Sequence, residues 1–148
     1  MNSASTQYQY QRVHATLVEY EGQGLMMMGP SGSGKSDLAL RLIERGGRLV
    51  ADDQVLIRYQ GKELRGCAPE TLRGLLEVRG VGIVKLSYHE SFPVHFVIDL
   101  EKKLSYERLP ESHTVILLGE KIPKFHLWAF EASVIEKIGI LLYREKKI

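Results

Sequence analysis

Residues 25–36 have the sequence LMMMGPSGSGKS. The apolar run before the first glycine predicts a short buried strand, and the apolar positions between Ser36 and Glu44 recur with the period of a helix. A strand, a glycine-rich turn and a helix start therefore come in the order of a phosphate-binding loop, whose backbone N–H groups surround the phosphates of a nucleotide. This order predicts an α/β fold, specifically a P-loop nucleotide-binding domain.

Each part of this loop has a chemical role at a triphosphate. Glycines allow positive φ angles and a close approach of the backbone, and the free N–H groups of the following helix attract anions. Lys35 is expected to reach the β- and γ-phosphates and the Ser36 hydroxyl to bind Mg²⁺, with ATP or GTP as the nucleotide. The alternative is a glycine-rich turn that only joins two elements. The predicted nucleotide-binding residues are Gly29, Pro30, Ser31, Gly32, Ser33, Gly34, Lys35 and Ser36.

The composition limits the other function classes. A chain of 148 residues with 44% hydrophobic and 26% charged residues can form one core, so we expect a single domain at 13–148 after a flexible polar segment at 1–12. The net charge of +2 is too small to indicate a nucleic-acid partner. The basic run at 144–147 is typical of a solvated helix end.

Cysteine content and hydropathy indicate the cytoplasm. The single Cys67 excludes an internal disulfide and a cysteine-based metal site. No stretch is long and apolar enough to cross a bilayer, and the first residues have no apolar core of a secretion signal. We therefore expect a cytoplasmic protein without a membrane partner.

The apolar periodicity predicts a mixed order of elements. One strand–helix–strand unit near the start is followed mostly by strands and then by a closing helix, which favours a mixed sheet over a regular alternation of strands and helices. The predicted strands are 13–20, 25–28, 48–51, 55–59, 83–86, 94–100, 115–118 and 125–128. The predicted helices are 36–45, 70–76 and 131–143.

An acidic pair, Asp52 and Asp53, follows the strand predicted at 48–51. A right-handed crossover through the preceding helix predicts this strand near the strand of the phosphate loop, with both carboxylates at the carboxyl edge of the sheet. Kinases use a carboxylate at this edge to hold Mg²⁺ or to accept the proton of the attacking hydroxyl. Two adjacent carboxylates also resist joint ionisation unless a cation lies near them. The alternative is a simple turn between strands, which aspartates favour.

Residues 77–84, EVRGVGIV, combine a carboxylate, a guanidinium and two glycines between a predicted helix and a predicted strand. The glycines indicate a sharp turn or a close approach to a ligand. Arg79 is a candidate phosphate ligand, and Glu77 is a candidate for the magnesium shell that Ser36 begins. A structural turn is the alternative here.

Together, GPSGSGKSD at 29–37, LVADDQV at 49–55 and LEVRGVGIV at 76–84 resemble the HPr kinase/phosphorylase family in its C-terminal catalytic domain. The resemblance runs from about His14 to Ile140. The third stretch is similar to the family's own signature motif, and three motifs in the correct order are more specific than a phosphate loop alone. The resemblance implies a fold similar to the nucleotide domain of phosphoenolpyruvate carboxykinase.

The resemblance also implies a reaction. This is transfer of the γ-phosphoryl group of ATP, with Mg²⁺, to a serine hydroxyl of HPr, a small carrier protein of the bacterial phosphotransferase system. Lys35 then matches the loop lysine, and Asp52 matches the general base, with Asp53 as its partner. His14 matches a histidine near the phosphate site, and Glu77 matches a metal-linked carboxylate. For His14, a strand-end histidine without a chemical role is the alternative.

Two departures from the family pattern affect the expected activity. Longer members carry an N-terminal domain without a counterpart in these 148 residues. The resemblance therefore leaves both a monomer and a homo-oligomer as alternatives for the oligomeric state. Before the last helix, a family segment similar to Pro-Val-Arg-Pro-Gly-Arg is replaced by IPKFHLWAFE at 122–131, where Lys124 or His126 substitutes for the arginine only in part. Phosphorylase activity is therefore not expected. A kinase of a small metabolite and a nucleotide-binding regulatory module without transferase activity are the alternatives.

Overall fold

The structure, a computed structural model, describes residues 10–101 and 111–144. Most of the segment predicted to be flexible, 1–12, and most of the basic run 144–147 lie outside these residues. The strands are β1 (Gln11–His14), β2 (Thr16–Tyr20), β3 (Gln23–Met28), β4 (Arg48–Ala51), β5 (Gln54–Gln60), β6 (Glu63–Cys67), β7 (Leu75–Val78), β8 (Gly82–Lys85), β9 (Phe92–Pro93), β10 (Phe96–Leu100), β11 (His113–Leu117) and β12 (Glu120–Leu127). The helices are α1 (Lys35–Glu44), α2 (Val134–Gly139), a π-helical continuation at Ile140–Arg144 and a 3₁₀ turn at Glu70–Leu72.

A mixed sheet of six strands forms the centre of the described fold, in the order β11-β12-β10-β3-β2-β4. Strands β3, β10 and β12 run parallel to one another, whereas β2 is antiparallel to both of its neighbours and β11 is antiparallel to β12. A smaller antiparallel sheet has the order β1-β5-β6-β9, and β7 pairs with β8. The mixed α/β fold predicted from the sequence is confirmed.

The methionine run of β3 is buried because the large sheet is covered on both faces. Leu25 and Met27 belong to a core that includes Leu38 of α1. Met26 belongs to a second core, together with Ile57 of the small sheet. Successive side chains of a strand point to opposite faces, so an uninterrupted apolar run suits a strand that is buried on both. Within the described residues, no helix has the length and apolar character needed to cross a membrane.

Strand β4 lies near β3, as the sequence predicts, although β2 lies between the two strands. Because β2 is antiparallel to both, β3 and β4 still run in the same direction and end at the same edge of the sheet. Asp52, directly after β4, therefore lies beside the helix start that follows β3.

The single strand predicted at 13–20 is two strands, because the chain changes sheets at Ala15. β1 pairs with β5 of the small sheet, and β2 pairs with β3 of the large sheet. Ala15 is fully buried, and its N–H donates to the Asp53 oxygen at 3.2 Å. The change of sheet brings His14 and Thr16, on either side of Ala15, to the acidic pair.

The prediction of a helix at 70–76 is wrong. Only a 3₁₀ turn forms at Glu70–Leu72, and β7 pairs with β8 from Leu75 onward. Gly74 has a φ of +75°, which turns the chain out of helical geometry. The predicted helix ends at Leu76, which is the second residue of β7 and the one fully buried residue in that strand. The last helix also begins later than predicted, at Val134.

Replacing Gly24 with alanine is expected to destabilise the fold by about 3 kcal/mol or more, as measured by urea denaturation. A Cβ atom at this position of β3 would lie 1.8 Å from the backbone oxygen of Pro93. The segment that contains Pro93 cannot move away easily, because the N–H of His95 in the same segment donates to the Gly24 oxygen at 2.9 Å.

Gly119→Ala is the control for this substitution. Gly119 has a φ of +83°, and no atom lies within 4 Å of the position that an added methyl group would take, so only backbone strain of about 1 kcal/mol is expected. Equal losses of stability at the two positions would contradict the steric explanation for Gly24.

Candidate active site

At Gly29 and Gly34 the phosphate loop has no room for a side chain. Gly34, directly before α1, has a φ of +98°, and a Cβ atom there would lie 2.6 Å from the Ala129 methyl group. A Cβ atom at Gly29 would lie 2.4 Å from the Leu100 oxygen. The loop therefore lies directly against the end of β10 and the turn before α2, and these contacts restrict its shape.

The Lys35 side chain folds back onto the loop. The residue is 8% exposed, and its Nζ donates to the Gly29 oxygen at 2.7 Å and to the Pro30 oxygen at 3.2 Å. Burial lowers the pKa of Lys35, and the nearby Asp53 and Asp52 carboxylates act in the opposite direction. The ammonium group is thus held by neutral oxygens at the place where such loops bind phosphate.

Asp52 is a buried carboxylate that accepts hydrogen bonds from three elements. The residue is 7% exposed. Its Oδ1 accepts from the Thr16 hydroxyl at 2.9 Å and from the Ser36 hydroxyl at 2.7 Å, and its Oδ2 accepts from the Glu77 N–H at 3.3 Å. These donors offset the cost of burying a charge. Asp52 therefore connects β2, α1 and β7 at the phosphate loop.

Asp53 and His14 form an exposed pair next to Asp52. His14 Nε2 lies 2.8 Å from Asp53 Oδ1, and the two side chains are 59% and 63% exposed. Asp53 has a φ of +70°, because the chain turns sharply from β4 into β5. The Gln54 N–H donates to the backbone oxygen of Asp52 at 2.8 Å and so closes this turn. Two neighbouring carboxylates thereby have different surroundings: Asp52 is enclosed, and Asp53 is open to solvent.

The loop, the acidic turn and β7 meet around a cleft of about 300 Å³. The predicted site residues in its wall are His14, Ser31, Gly32, Gly34, Lys35, Ser36, Asp53, Glu77 and Arg79. The other predicted residues, Gly29, Pro30, Ser33 and Asp52, are not in the wall, although Asp52 is bonded to Ser36. The structure thus brings the three sequence motifs together at one site.

The donor and acceptor groups of the site suit a magnesium–triphosphate ligand. The Ser33 hydroxyl is buried and has no hydrogen-bond partner within residues 10–101 and 111–144. An anion in the loop supplies the acceptor that such a buried donor needs. The hydroxyl of Ser36 and the carboxylate of Glu77 are oxygen ligands of the kind that Mg²⁺ prefers.

Two residues of the site, Thr16 and Phe130, were missed by sequence reasoning. Thr16 is fully buried and donates to Asp52; a hydroxyl between the apolar residues Ala15 and Leu17 was the only available signal. Phe130, on the turn before α2, lies in the wall of the cleft and is 51% exposed. Nothing in the sequence distinguishes it from a core aromatic residue.

Lys124 and His126, the residues considered in place of the family arginine, lie in β12 and outside the cleft wall. His126 Nδ1 lies 2.9 Å from Glu101 Oε1 and 3.7 Å from Asp99 Oδ2. The ligand atoms of these three residues lie within 4.8 Å of one another, a spacing that a cation can bridge. The cluster is separate from the residues that line the cleft.

Several known proteins similar to this chain carry the name HPr kinase/phosphorylase. The family model of the HPr Serine kinase C-terminal domain matches residues 6–138. The HPr kinase/phosphorylase of Caldicellulosiruptor bescii is 43% identical over an alignment of 150 positions, which covers 91% of this chain and 48% of that protein. The HPr kinase/phosphorylase of Caldanaerobacter subterraneus is 35% identical over an alignment of 151 positions, which covers 92% of this chain and 50% of that protein.

A solved structure has a similar fold. It is the Hpr(Ser) kinase/phosphatase from Coxiella burnetii, with a TM-score of 0.76 and 28% sequence identity, and the match covers 86% of this chain and 85% of that one. This chain spans about half the length of the curated relatives that it matches.

Proposed function

The chain belongs to the HPr serine kinase family through its C-terminal domain, and we propose on that basis that it transfers the γ-phosphoryl group of ATP to a serine hydroxyl of HPr. The observation that carries this proposal is the 2.7 Å hydrogen bond from Ser36 to Asp52. It joins a phosphate loop directly to an acidic pair, and phosphoryl transfer uses carboxylates at this place for the metal ion and for the attacking hydroxyl. The mixed sheet also supports the finer proposal of a fold similar to the phosphoenolpyruvate carboxykinase nucleotide domain.

ATP fits the cleft with its phosphates in the loop. The free N–H groups at the start of α1 bind the anion, and Lys35 exchanges the oxygens of Gly29 and Pro30 for β- and γ-phosphate oxygens. Arg79, in the wall of the same cleft, neutralises charge on the transferred group.

The proposed protein ligands of Mg²⁺ are the Ser36 hydroxyl and the Glu77 carboxylate. Asp52 orients Ser36 by accepting its hydroxyl proton in a hydrogen bond, as outer-shell carboxylates do at metal sites. The ion supplies positive charge that offsets the charge developing on the β- and γ-phosphates. Asp52 also holds the N–H of Glu77, so both proposed ligands depend on the same carboxylate.

The surroundings of the acidic pair favour Asp53 as the group that takes the serine proton. Asp53 lies in the wall of the cleft, whereas Asp52 is 7% exposed and already accepts three hydrogen bonds. The serine oxygen attacks the γ-phosphorus in line, the bond to the bridging oxygen of ADP breaks, and the proton passes to Asp53. His14 positions the carboxylate from 2.8 Å. The assignment of Asp52 as the base, predicted from the resemblance, stays a prediction.

The test is transfer of radiolabelled γ-phosphate from ATP to HPr of the same organism. We expect this reaction to take place in the bacterial cytoplasm. Label on one serine of HPr, dependent on Mg²⁺, is the expected result. Label on a metabolite of a cell extract instead would indicate a small-molecule kinase. ATP binding without any labelled acceptor would indicate a regulatory module.

The reverse reaction is measured by adding inorganic phosphate to phosphoserine-HPr. Slow release is expected, because the stretch at 122–131 has no arginine and its basic residues Lys124 and His126 lie outside the cleft wall. Rapid release would show that other cationic groups suffice for phosphorolysis.

A further inference from the structure

We infer that Phe130 is the surface on which the base of the bound nucleotide stacks. This inference rests on the proposed function, since it requires that the phosphate loop binds a nucleoside triphosphate. It adds a residue that recognises the nucleoside part of the donor, whereas the loop recognises only its phosphates.

The position of the Phe130 ring suits this role. A Cβ atom at Gly34 would lie 2.9 Å from Cζ and 3.2 Å from Cε2 of the ring, so the ring tip contacts the last residue of the loop. The residue is nevertheless 51% exposed and lies in the wall of the cleft. One edge of the ring is therefore fixed against the loop, and much of its surface is open beside the place where the phosphates bind.

The backbone on both sides of Phe130 is anchored. The preceding residue, Ala129, is fully buried, and its oxygen accepts from Arg41 Nη1 at 2.6 Å. The N–H of the following residue, Glu131, donates to the Trp128 oxygen at 3.3 Å, and its side chain is paired with Lys137. The Trp128 ring lies 6.5 Å from the Phe130 ring, centroid to centroid, at 76°, which is an edge-to-face contact. The exposed ring is thus held on a fixed turn and has little freedom to move into the core.

The cleft has a mostly polar lining with a few large apolar residues, and this combination suits a nucleotide, which has charged phosphates and a flat base. Most of the lining residues of the described chain are polar or glycine, and the large apolar ones are Leu40, Val78 and Phe130. An exposed apolar ring next to a phosphate site offers the phosphates no hydrogen bond or positive charge, but it can stack on the π face of a base. Every base has such a face, so stacking alone does not distinguish adenine from guanine.

A purely structural role for Phe130 predicts a different result. If the ring only supports Gly34, its loss distorts the loop and lowers the affinity for every ligand that binds through phosphates. If the ring stacks on the base, its loss lowers the affinity only for ligands that carry a base. Inorganic tripolyphosphate separates the two cases, because it has the phosphate chain without a nucleoside.

The experiment is titration calorimetry of the full chain and of its Phe130→Ala and Phe130→Trp variants with MgATP, MgGTP and magnesium tripolyphosphate. Phe130→Ala is expected to raise the Kd of both nucleotides by about tenfold or more, and that of tripolyphosphate by less than about twofold. Phe130→Trp keeps an aromatic face and is expected to retain nucleotide affinity. Thermal melting checks that each variant is folded.

Three results would overturn the inference. An equal loss for all three ligands would show that Phe130 supports the loop, and unchanged nucleotide affinity in Phe130→Ala would show that the base lies elsewhere. A loss in Phe130→Trp as large as in Phe130→Ala would exclude stacking. If the native chain binds neither nucleotide, the proposed function fails together with the inference, and this result is distinct from the others.

Discussion

Replacing Asp53 with asparagine is expected to lower the rate of phosphoryl transfer to HPr by about a hundredfold to ten-thousandfold, the range typical of a lost general base. The asparagine amide has the size of the carboxylate but no basic oxygen for the serine proton. The Kd of MgATP, measured by calorimetry, is expected to change little, because the loop and Lys35 hold the phosphates. A rate close to that of the native chain would show that another group takes the proton.

Asp99→Asn is the matched control for Asp53→Asn. It removes the same charge near the carboxyl end of β10, outside the cleft wall, and is expected to leave the transfer rate unchanged.

Replacing Asp52 with asparagine is expected to remove transfer almost completely, by about a hundredfold to a thousandfold, through the metal site. The native carboxylate accepts hydrogen bonds from Ser36, Thr16 and the Glu77 N–H. An amide has only one acceptor oxygen, so its NH₂ group would face a donor and release Ser36 or Glu77. The Mg²⁺ concentration needed for half of the maximal rate should therefore rise, while the Kd of metal-free ATP stays close to the native value.

Magnesium titrations separate the roles of the two aspartates. The Mg²⁺ requirement is expected to rise in Asp52→Asn and to stay unchanged in Asp53→Asn. The opposite assignment, with Asp52 as the base, predicts an unchanged Mg²⁺ requirement in Asp52→Asn. That result would support the role that the resemblance assigns to Asp52.

The part of the fold around the phosphate loop could be predicted from the sequence because its signals are local. The apolar run of β3, the glycines and the helical period after Ser36 all lie within one short stretch, and the observed α1, Lys35–Glu44, agrees with it closely. β4 was predicted with its observed bounds, Arg48–Ala51, because a short apolar run follows the helix directly. Its place beyond β2 was not predictable, since strand order depends on distant pairing.

The error at 70–76 has a different origin. The apolar residues there suit a helix or a strand, and only the pairing of Leu76 with Val84 of β8 decides between the two. β6 was missed for a similar reason: Glu63–Cys67 has little β propensity, and it is a strand because it pairs with β5 across the turn at Gly61. In both cases tertiary contacts override a weak local preference.

The site shows the same division between local and distant information. The loop residues and the acidic pair were found by motif, but the buried contact of Thr16 with Asp52 depends on the change of sheet at Ala15, which leaves no sequence signal. Phe130 reaches the cleft only because the turn before α2 lies against Gly34. Motifs indicate which chemistry is present, and folding determines which other residues join it.

The most direct test of the phosphoryl-donor site is a crystal structure of the chain with Mg²⁺ and a non-hydrolysable ATP analogue. We expect the triphosphate within the loop at 29–36, with Lys35 Nζ bonded to phosphate oxygens and released from the oxygens of Gly29 and Pro30 that hold it here. We also expect Mg²⁺ on the Ser36 hydroxyl, with Asp53 facing the γ-phosphate. A triphosphate bound elsewhere, or a Lys35 side chain that stays on the loop oxygens, would contradict the account.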